Sequence, residues 1–106
     1  MQMFAVLLNS LKAIPEGAGN VLDNCAILAS TDTSDGRYHN VRDYPILVAG
    51  KGGGYFKYPG IHYRSPSGSE STSNVLLSLL RSVGTGLTQA GGGPGLSTTT
   101  CGAIEV

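Results

Sequence analysis

The sequence has few charged residues, no excess of either sign of charge and no tryptophan. Its 106 residues include 7 Lys or Arg and 7 Asp or Glu, so the formal net charge is zero. Nucleic-acid binding needs a basic surface to neutralise phosphates, and anionic membranes also attract basic clusters. Charged residues make up 13% of the chain, against about 25% in an average soluble domain. We therefore predict neither a nucleic-acid partner nor a membrane partner, and a surface with few solubilising charges.

Cysteine is scarce, and long hydrophobic runs are absent. Cys25 and Cys101 form no CxxC pair, which excludes a zinc ribbon and a thioredoxin-type redox site. Their separation leaves both one disulfide and two free thiols open. No apolar run approaches the roughly 18 residues that span a bilayer. The apolar N-terminal segment has no basic residues ahead of it, so we predict no signal peptide.

Glycine, by contrast, is abundant, with 16 residues in the chain. A length of 106 residues suits one domain, and we predict a single loop-rich α/β domain or domain fragment over residues 1–106. Glycine and threonine dominate residues 84–106, which we interpret as a tail.

Apolar residues at helical spacing predict two helices. The first covers residues 2–14 and is stopped by Pro15. The second covers residues 75–83, and Gly84 is its expected C-terminal stop. Residues able to cap this second helix precede it, namely Ser71, Thr72 and Ser73.

Short apolar runs bounded by turn residues predict the strands. Val21-Leu22 and residues 25–29 form one near-continuous apolar segment, and residues 46–50 form a second. Both are typical of strands buried on both faces. Segments 55–58 and 61–64, separated by Pro59-Gly60, predict a short edge hairpin. The fold class is therefore α/β, with a small sheet, two buried strands, a short edge hairpin and two flanking helices.

The predicted helices are too few for the predicted sheet. Strands buried on both faces need a covering layer on each side, and two helices leave an apolar face open. Symmetric pairing with a second copy can bury such a face. We therefore expect a homo-oligomer.

The polar loop at residues 30–44 contains the residues best suited to chemistry. Asp32, Asp35, His39 and Asp43 lie there, beyond the expected carboxyl end of a strand, where ligands bind in open α/β sheets. Carboxylate and imidazole groups suit a divalent metal ion, although their spacing matches neither an EF-hand nor HExxH. The alternative is a solvated loop in which the Asp side chains bond to their own backbone.

No other motif predicts a catalytic or cofactor-binding residue. The AGKGGG run at 49–54 lacks the order of a phosphate-binding loop and predicts a tight turn. No GxSxG elbow is present. Tyrosine is concentrated around the loop and hairpin, where ordinary packing explains it as well as ligand stacking does; the residues are Tyr38, Tyr44, Tyr55, Tyr58 and Tyr63.

The order of several segments resembles a known family. LDNCAILAST, SDGRYHNVRDYPILVAGKGGG, IHYRS and SNVLLSLLRSVG together resemble the C-terminal part of an uncharacterised bacterial family. That family is named HXXSHH, after a motif that this chain lacks, and the resemblance covers roughly residues 4–106. More distantly, the layout is similar to the C-terminal region of the alkaline phosphatase and sulfatase superfamily, which has a three-layer fold.

This resemblance implies a metal-binding role for the polar loop. Asp35 and His39 match the metal ligands of the superfamily, and Asp32 is a weaker match. Those enzymes place Asp and His side by side in this loop, whereas here His39 is four residues past Asp35. The nucleophile and the remaining ligands come from upstream segments that this chain lacks. The resemblance thus implies a C-terminal fragment that is catalytically incomplete by itself. The alternatives are a structural domain acting as a homo-oligomer and a metal- or anion-binding module.

Overall fold

Three α-helices and two small antiparallel sheets form the regular structure of the chain, which a computed structural model describes over residues 1–106. The helices are α1 (Gln2–Lys12), α2 (Val21–Asn24) and α3 (Ser73–Ser82). The strands are β1 (Pro15–Glu16), β2 (Gly19–Asn20), β3 (Ile27–Ser30) and β4 (Ile46–Ala49). The predicted α/β class is confirmed, and the helices number three rather than two.

Helix α1 forms where the first helix is predicted and ends earlier. Its Met, Leu and Ala residues have high helix propensity, and Lys12 in its last turn complements the negative end of the helix dipole. Ala13 is the C-cap, so the helix stops before Ile14. Helix α1 packs against α2 but contains no buried residue.

Residues 15–24 form a tight hairpin and a short helix. Strands β1 and β2 pair around Gly17, whose φ is +56°. Helix α2 follows at once, and the Asp23 carboxylate accepts the Asn20 backbone N–H at 3.1 Å. The prediction that Val21 and Leu22 belong to an extended apolar segment is therefore wrong. Two apolar residues in sequence do not distinguish a helical turn from a strand.

Strands β3 and β4 form at the predicted places, and they pair with each other. Their antiparallel register runs from Ile27 opposite Ala49 to Ser30 opposite Ile46. The prediction that these strands are buried on both faces is wrong, because every residue of both strands is half-buried or exposed. No third strand joins this two-stranded sheet, and Leu47 remains 44% exposed.

The predicted edge hairpin at 55–58 and 61–64 does not form. A 3-10 turn covers Gly52–Gly54, and residues 61–64 have no regular structure. Phe56 instead forms a bridge with Glu105 near the end of the chain. Pairing with the distant C-terminal segment replaces the local hairpin predicted across Pro59-Gly60.

Helix α3 supplies the centre of the core. Leu77 and Ser78 are both 0% exposed. The helix ends as predicted: Gly84 has a φ of +76° and donates its N–H to the Arg81 carbonyl at 2.9 Å. Thr72 is the N-cap without a side-chain cap bond.

The C-terminal segment folds back onto α3. The Cys101 N–H donates to the Asn74 carbonyl at 3.2 Å, and the Lys57 N–H donates to the Ile104 carbonyl at 2.9 Å. Ala90 and Ser97 pair reciprocally, at 2.9 and 2.8 Å. Residues 84–106 therefore contribute to the core around α3.

Burial is confined to one part of the chain. We call residues 1–49 the N-terminal region and residues 50–106 the C-terminal region. Eight of 106 residues are buried, and all eight belong to the C-terminal region. They are Gly52, Phe56, Ser73, Leu77, Ser78, Ala90, Ser97 and Cys101. The N-terminal region has two helices and both sheets, and none of its residues is buried.

Candidate functional site

The polar loop at 30–44 connects two antiparallel strands. The rule that ligands gather at the carboxyl ends of strands applies to parallel sheets. Here the carboxyl end of β3 lies beside the amino end of β4, so a single loop forms this end of the sheet. The Ser30 hydroxyl donates to the Pro45 carbonyl at 2.6 Å and closes the base of the loop.

Asp35 organises a turn within this loop. Its Oδ1 accepts the backbone N–H groups of Arg37 at 2.9 Å and Tyr38 at 3.3 Å. The Ser34 N–H and hydroxyl both donate to the Asn40 carbonyl, at 3.0 and 2.8 Å. These bonds match the backbone-bonding alternative, in which an Asp side chain stabilises its own turn.

The other acidic and imidazole groups of the loop lie in different surroundings. His39 is exposed and has a φ of +49°. Asp43 pairs with Arg64, whose Nε and Nη2 donate to its Oδ1 at 3.1 and 2.8 Å. Asp32 is exposed on the rim of a cavity. No group of three His, Cys, Asp or Glu side chains in residues 1–106 has an arrangement that would hold a metal ion.

That cavity, of about 420 Å³, opens between the polar loop, the β3–β4 hairpin and the start of α3. Most of its lining is apolar, and Asp32 is its one charged residue. The lining residues are Leu28, Ser30, Asp32, Val41, Tyr44, Ile46, Thr72 and Leu76. Asp35 and His39 do not line it, so the structure does not gather the three predicted ligands around this space.

The glycine run forms the predicted tight turn, and it connects the two regions. The Gly52 N–H donates to the Cys25 carbonyl at 2.9 Å. Gly50 has a φ of +94°, and a Cβ there would collide with the same Cys25 oxygen. The Lys51 ammonium lies 2.8 Å from the Asp23 carboxylate, and this hydrogen bond is the main reason that the pKa of Asp23 lies below its usual value.

A network around Glu105 is the polar cluster that sequence reasoning missed. The Glu105 carboxylate accepts hydroxyl hydrogen bonds from Ser78 at 2.7 Å, Tyr55 at 3.1 Å and Thr100 at 3.1 Å. The Ser78 oxygen accepts the Cys101 N–H at 2.9 Å. Burial, reinforced by the bond to Glu105, raises the pKa of Tyr55. The network joins the chain end to α3, and its one sequence signal was a serine among the leucines of that helix.

The two cysteines form no disulfide in this structure and differ in burial. Cys25 and Cys101 are both free, Cys25 half-buried and Cys101 buried. Burial raises the pKa of the Cys101 thiol, so this thiol is a poor nucleophile.

The tyrosines do not form one ligand-stacking surface. The Tyr63 hydroxyl donates to Glu70 at 2.7 Å, which raises the pKa of Tyr63 to about 12. Tyr58 lies under the Lys51 ammonium, 4.7 Å from the ring centroid, and Tyr38 lies beside Arg37. These three rings thus have separate local partners.

Comparison with protein-family models, curated proteins and solved structures gives no match to this chain. No helix is both long enough and apolar enough to cross a membrane.

Proposed function

We propose that this chain is a non-catalytic interaction domain that functions as a homo-oligomer. One observation carries the proposal: all buried residues belong to the C-terminal region, while α1 and the β3–β4 hairpin bury none. An apolar helix and sheet of this kind are normally stabilised by packing against another layer. A second copy of the chain provides that layer.

The accessible surface of one copy supports this proposal. It measures 7232 Å², whereas a folded monomer of 10.9 kDa has about 5,600 Å². The difference, roughly 1,600 Å², is about twice the area that one partner loses in a standard complex. Two copies that each covered this excess would bury about 3,200 Å², which is in the range of obligate homodimers.

Sedimentation equilibrium of the full chain tests the proposal. We expect a mass that is an integral multiple of the 10.9 kDa chain, falling toward the single-chain mass on dilution. A single-chain mass at every concentration from micromolar to millimolar would contradict the proposal.

A second candidate rests on the cavity beside Asp32. The resemblance to phosphatases and sulfatases implies a metal site on this loop, formed by Asp35, His39 and Asp32. It also implies an alkaline-phosphatase-like fold whose other layers come from further segments of a longer protein. The supporting observation is the cavity of about 420 Å³ with one carboxylate on its rim, which is large enough for a small ester.

Two measurements decide whether this second candidate holds. Calorimetric titration with Zn²⁺, Mn²⁺ and Ca²⁺ detects binding by the wild type, and the Asp35→Asn variant shows whether the loop is responsible. Assays on aryl phosphate and aryl sulfate esters with each metal test catalysis. Turnover that the His39→Ala variant loses would overturn the non-catalytic proposal in favour of this one.

A further inference from the structure

We infer that the cavity beside Asp32 binds a small organic cation, namely a primary ammonium group attached to an apolar body. The inference goes beyond the proposed interaction domain, and it involves neither Asp35, nor His39, nor a metal ion. It rests on the walls of the cavity, on an acidic side chain without a partner, and on a hydroxyl that is free only to accept a hydrogen bond.

One face of the β3–β4 hairpin forms one wall of the cavity. Side chains alternate between the two faces of a strand, so Leu28 and Ser30 share a face. Ile46 lies opposite Ser30 on the paired strand and lines the same space. Thr72 and Leu76, four residues apart at the start of α3, form a second wall. Paired strands and a helix thus build the apolar part of the cavity.

Asp32 is the one acidic side chain that has no partner within the chain. Of the 7 Asp and Glu residues, each of the other six accepts a hydrogen bond or an ion pair from the chain itself. These six are Glu16, Asp23, Asp35, Asp43, Glu70 and Glu105. No Lys, Arg or His lines the cavity. A positive charge beside Asp32 therefore has to come from another molecule.

The hydroxyl of Ser30 favours a ligand that donates hydrogen bonds. Its hydrogen is used by the Pro45 carbonyl at 2.6 Å, so its oxygen is free only to accept. The carboxylate of Asp32 also only accepts, whereas a primary ammonium has three donors and no acceptor. Tyr44 lines the same cavity, and an aromatic face attracts an ammonium charge. A cation with N–H donors therefore matches these groups better than an anion does.

The apolar lining determines the rest of the ligand. A volume of about 420 Å³ lies near the lower end of the range for small-molecule sites, so the cavity suits a small ligand. An exposed ion pair contributes little net affinity, and burial of the apolar body supplies most of it. Asp32 then selects the sign of the ligand charge, and we expect binding in the millimolar range.

NMR titration of the full chain, followed through its backbone amides, tests the inference with three probes of similar shape. The probes are benzylammonium, neutral benzyl alcohol and anionic benzoate. A chelator is present throughout, so a divalent metal ion contributes nothing to the signal. We expect benzylammonium to bind more tightly than benzyl alcohol and to shift the amides of Leu28 and Leu76, and we expect no binding of benzoate.

Asp32→Asn removes the selecting charge, and Glu16→Gln is the matched control. Both variants change the net charge equally, and Glu16 does not line the cavity. At low salt we expect Asp32→Asn to raise the dissociation constant of benzylammonium about twofold to fivefold. The constant for benzyl alcohol should stay the same. Glu16→Gln should keep both wild-type constants.

A second pair of variants tests whether the probe occupies the cavity. Leu76→Trp places a larger side chain in it, and Leu87→Trp is the control at a leucine of similar exposure, 41% against 46%. We expect Leu76→Trp to abolish binding of benzylammonium and benzyl alcohol, while Leu87→Trp binds both as the wild type does. If Leu76→Trp does not fold, Asp32→Asn still decides the question, because Asp32 bonds to no other group of the chain.

Several results would overturn the inference. They are the absence of any amide shift at tens of millimolar benzylammonium, shifts confined to residues away from the cavity, and a preference for the cation that survives Asp32→Asn. Equal binding of the three probes would also overturn it, because the cavity would then recognise only the apolar body. Tighter binding of benzoate would contradict it in favour of an anion-binding cavity.

Discussion

The N-terminal and C-terminal regions differ in how regular structure relates to burial. The N-terminal region contains the longest helix, α1, and both sheets, yet it buries no residue. The C-terminal region has one long helix and many glycine turns, yet it contains every buried residue. Most of the regular structure therefore lies outside the core, and α3 is the one α-helix that contributes buried residues. In the proposed homo-oligomer, the N-terminal region is the part that a second copy covers.

The largest expected effect comes from emptying the C-terminal core. Leu77→Ala removes most of a side chain that is 0% exposed, and we expect it to lower the free energy of unfolding by about 3–4 kcal/mol. Leu47→Ala, at a 44% exposed position of β4, should lower it by less than about 1 kcal/mol. Urea unfolding followed by circular dichroism at one protein concentration measures both. Similar losses for the two variants would contradict the difference between the regions.

The next largest effect comes from breaking the junction between the regions. Gly50→Ala combines a φ of +94° with a collision against the Cys25 carbonyl. We expect it to lower the free energy of unfolding by about 2–4 kcal/mol. Gly54→Ala is the matched control, since Gly54 has a φ of +98° and no atom near a built Cβ. Backbone strain alone should lower the free energy of unfolding of Gly54→Ala by about 1 kcal/mol. Thermal unfolding of the two variants isolates the collision, and equal losses would mean that the junction is not tightly packed.

A smaller effect comes from removing a buried hydroxyl. Ser78→Ala takes away the group that joins Glu105 to the Cys101 N–H, and we expect a loss of about 1–3 kcal/mol. Ser10→Ala removes a hydroxyl that bonds only within exposed α1, so it should not destabilise the chain. The shift of the urea unfolding midpoint, measured for Ser78→Ala and Ser10→Ala, compares the two losses of stability. A loss in Ser10→Ala as large as in Ser78→Ala would contradict the assignment of the polar core to the C-terminal region.

The smallest effect comes from the ion pair between Asp23 and Lys51. A carboxyl whose pKa is lowered by folding contributes stability above its ordinary pKa, and that contribution is lost as pH falls through the folded pKa. As pH is lowered from about 5 through the folded pKa of Asp23, the free energy of unfolding of the wild type should therefore fall slightly more than that of Asp23→Asn. The difference should shrink in high salt, because both side chains are accessible to solvent. Identical pH profiles would show that this pair does not contribute to the junction.

The sequence predicted elements that depend on local signals. Leucine spacing predicted most of α3, and a single glycine predicted its end, because Gly84 adopts the left-handed conformation there. The apolar runs predicted where β3 and β4 lie. The prediction that those strands are buried on both faces was wrong, because a short apolar run does not reveal how many strands and helices surround it.

Long-range pairing and the candidate site were less accessible from sequence. Phe56 pairs with Glu105 rather than within a local hairpin, and no local pattern encodes contact across so many residues. The sequence predicted that residues 30–44 form a loop. It did not predict how the Asp side chains of this loop are arranged: Asp35 bonds to its own turn, Asp43 bonds to Arg64, and Asp32 lies on the rim of the cavity.

Amide hydrogen exchange of the wild-type chain at low and high protein concentration tests the central claim most directly. We predict that protection in α3, around Leu77 and Ser78, is the same at both concentrations. Protection in α1 and in the β3–β4 hairpin should rise with concentration, as a second copy covers the N-terminal region. Equal protection of α1 and α3, unchanged by concentration, would contradict the account, because the N-terminal region would then be stable without a partner.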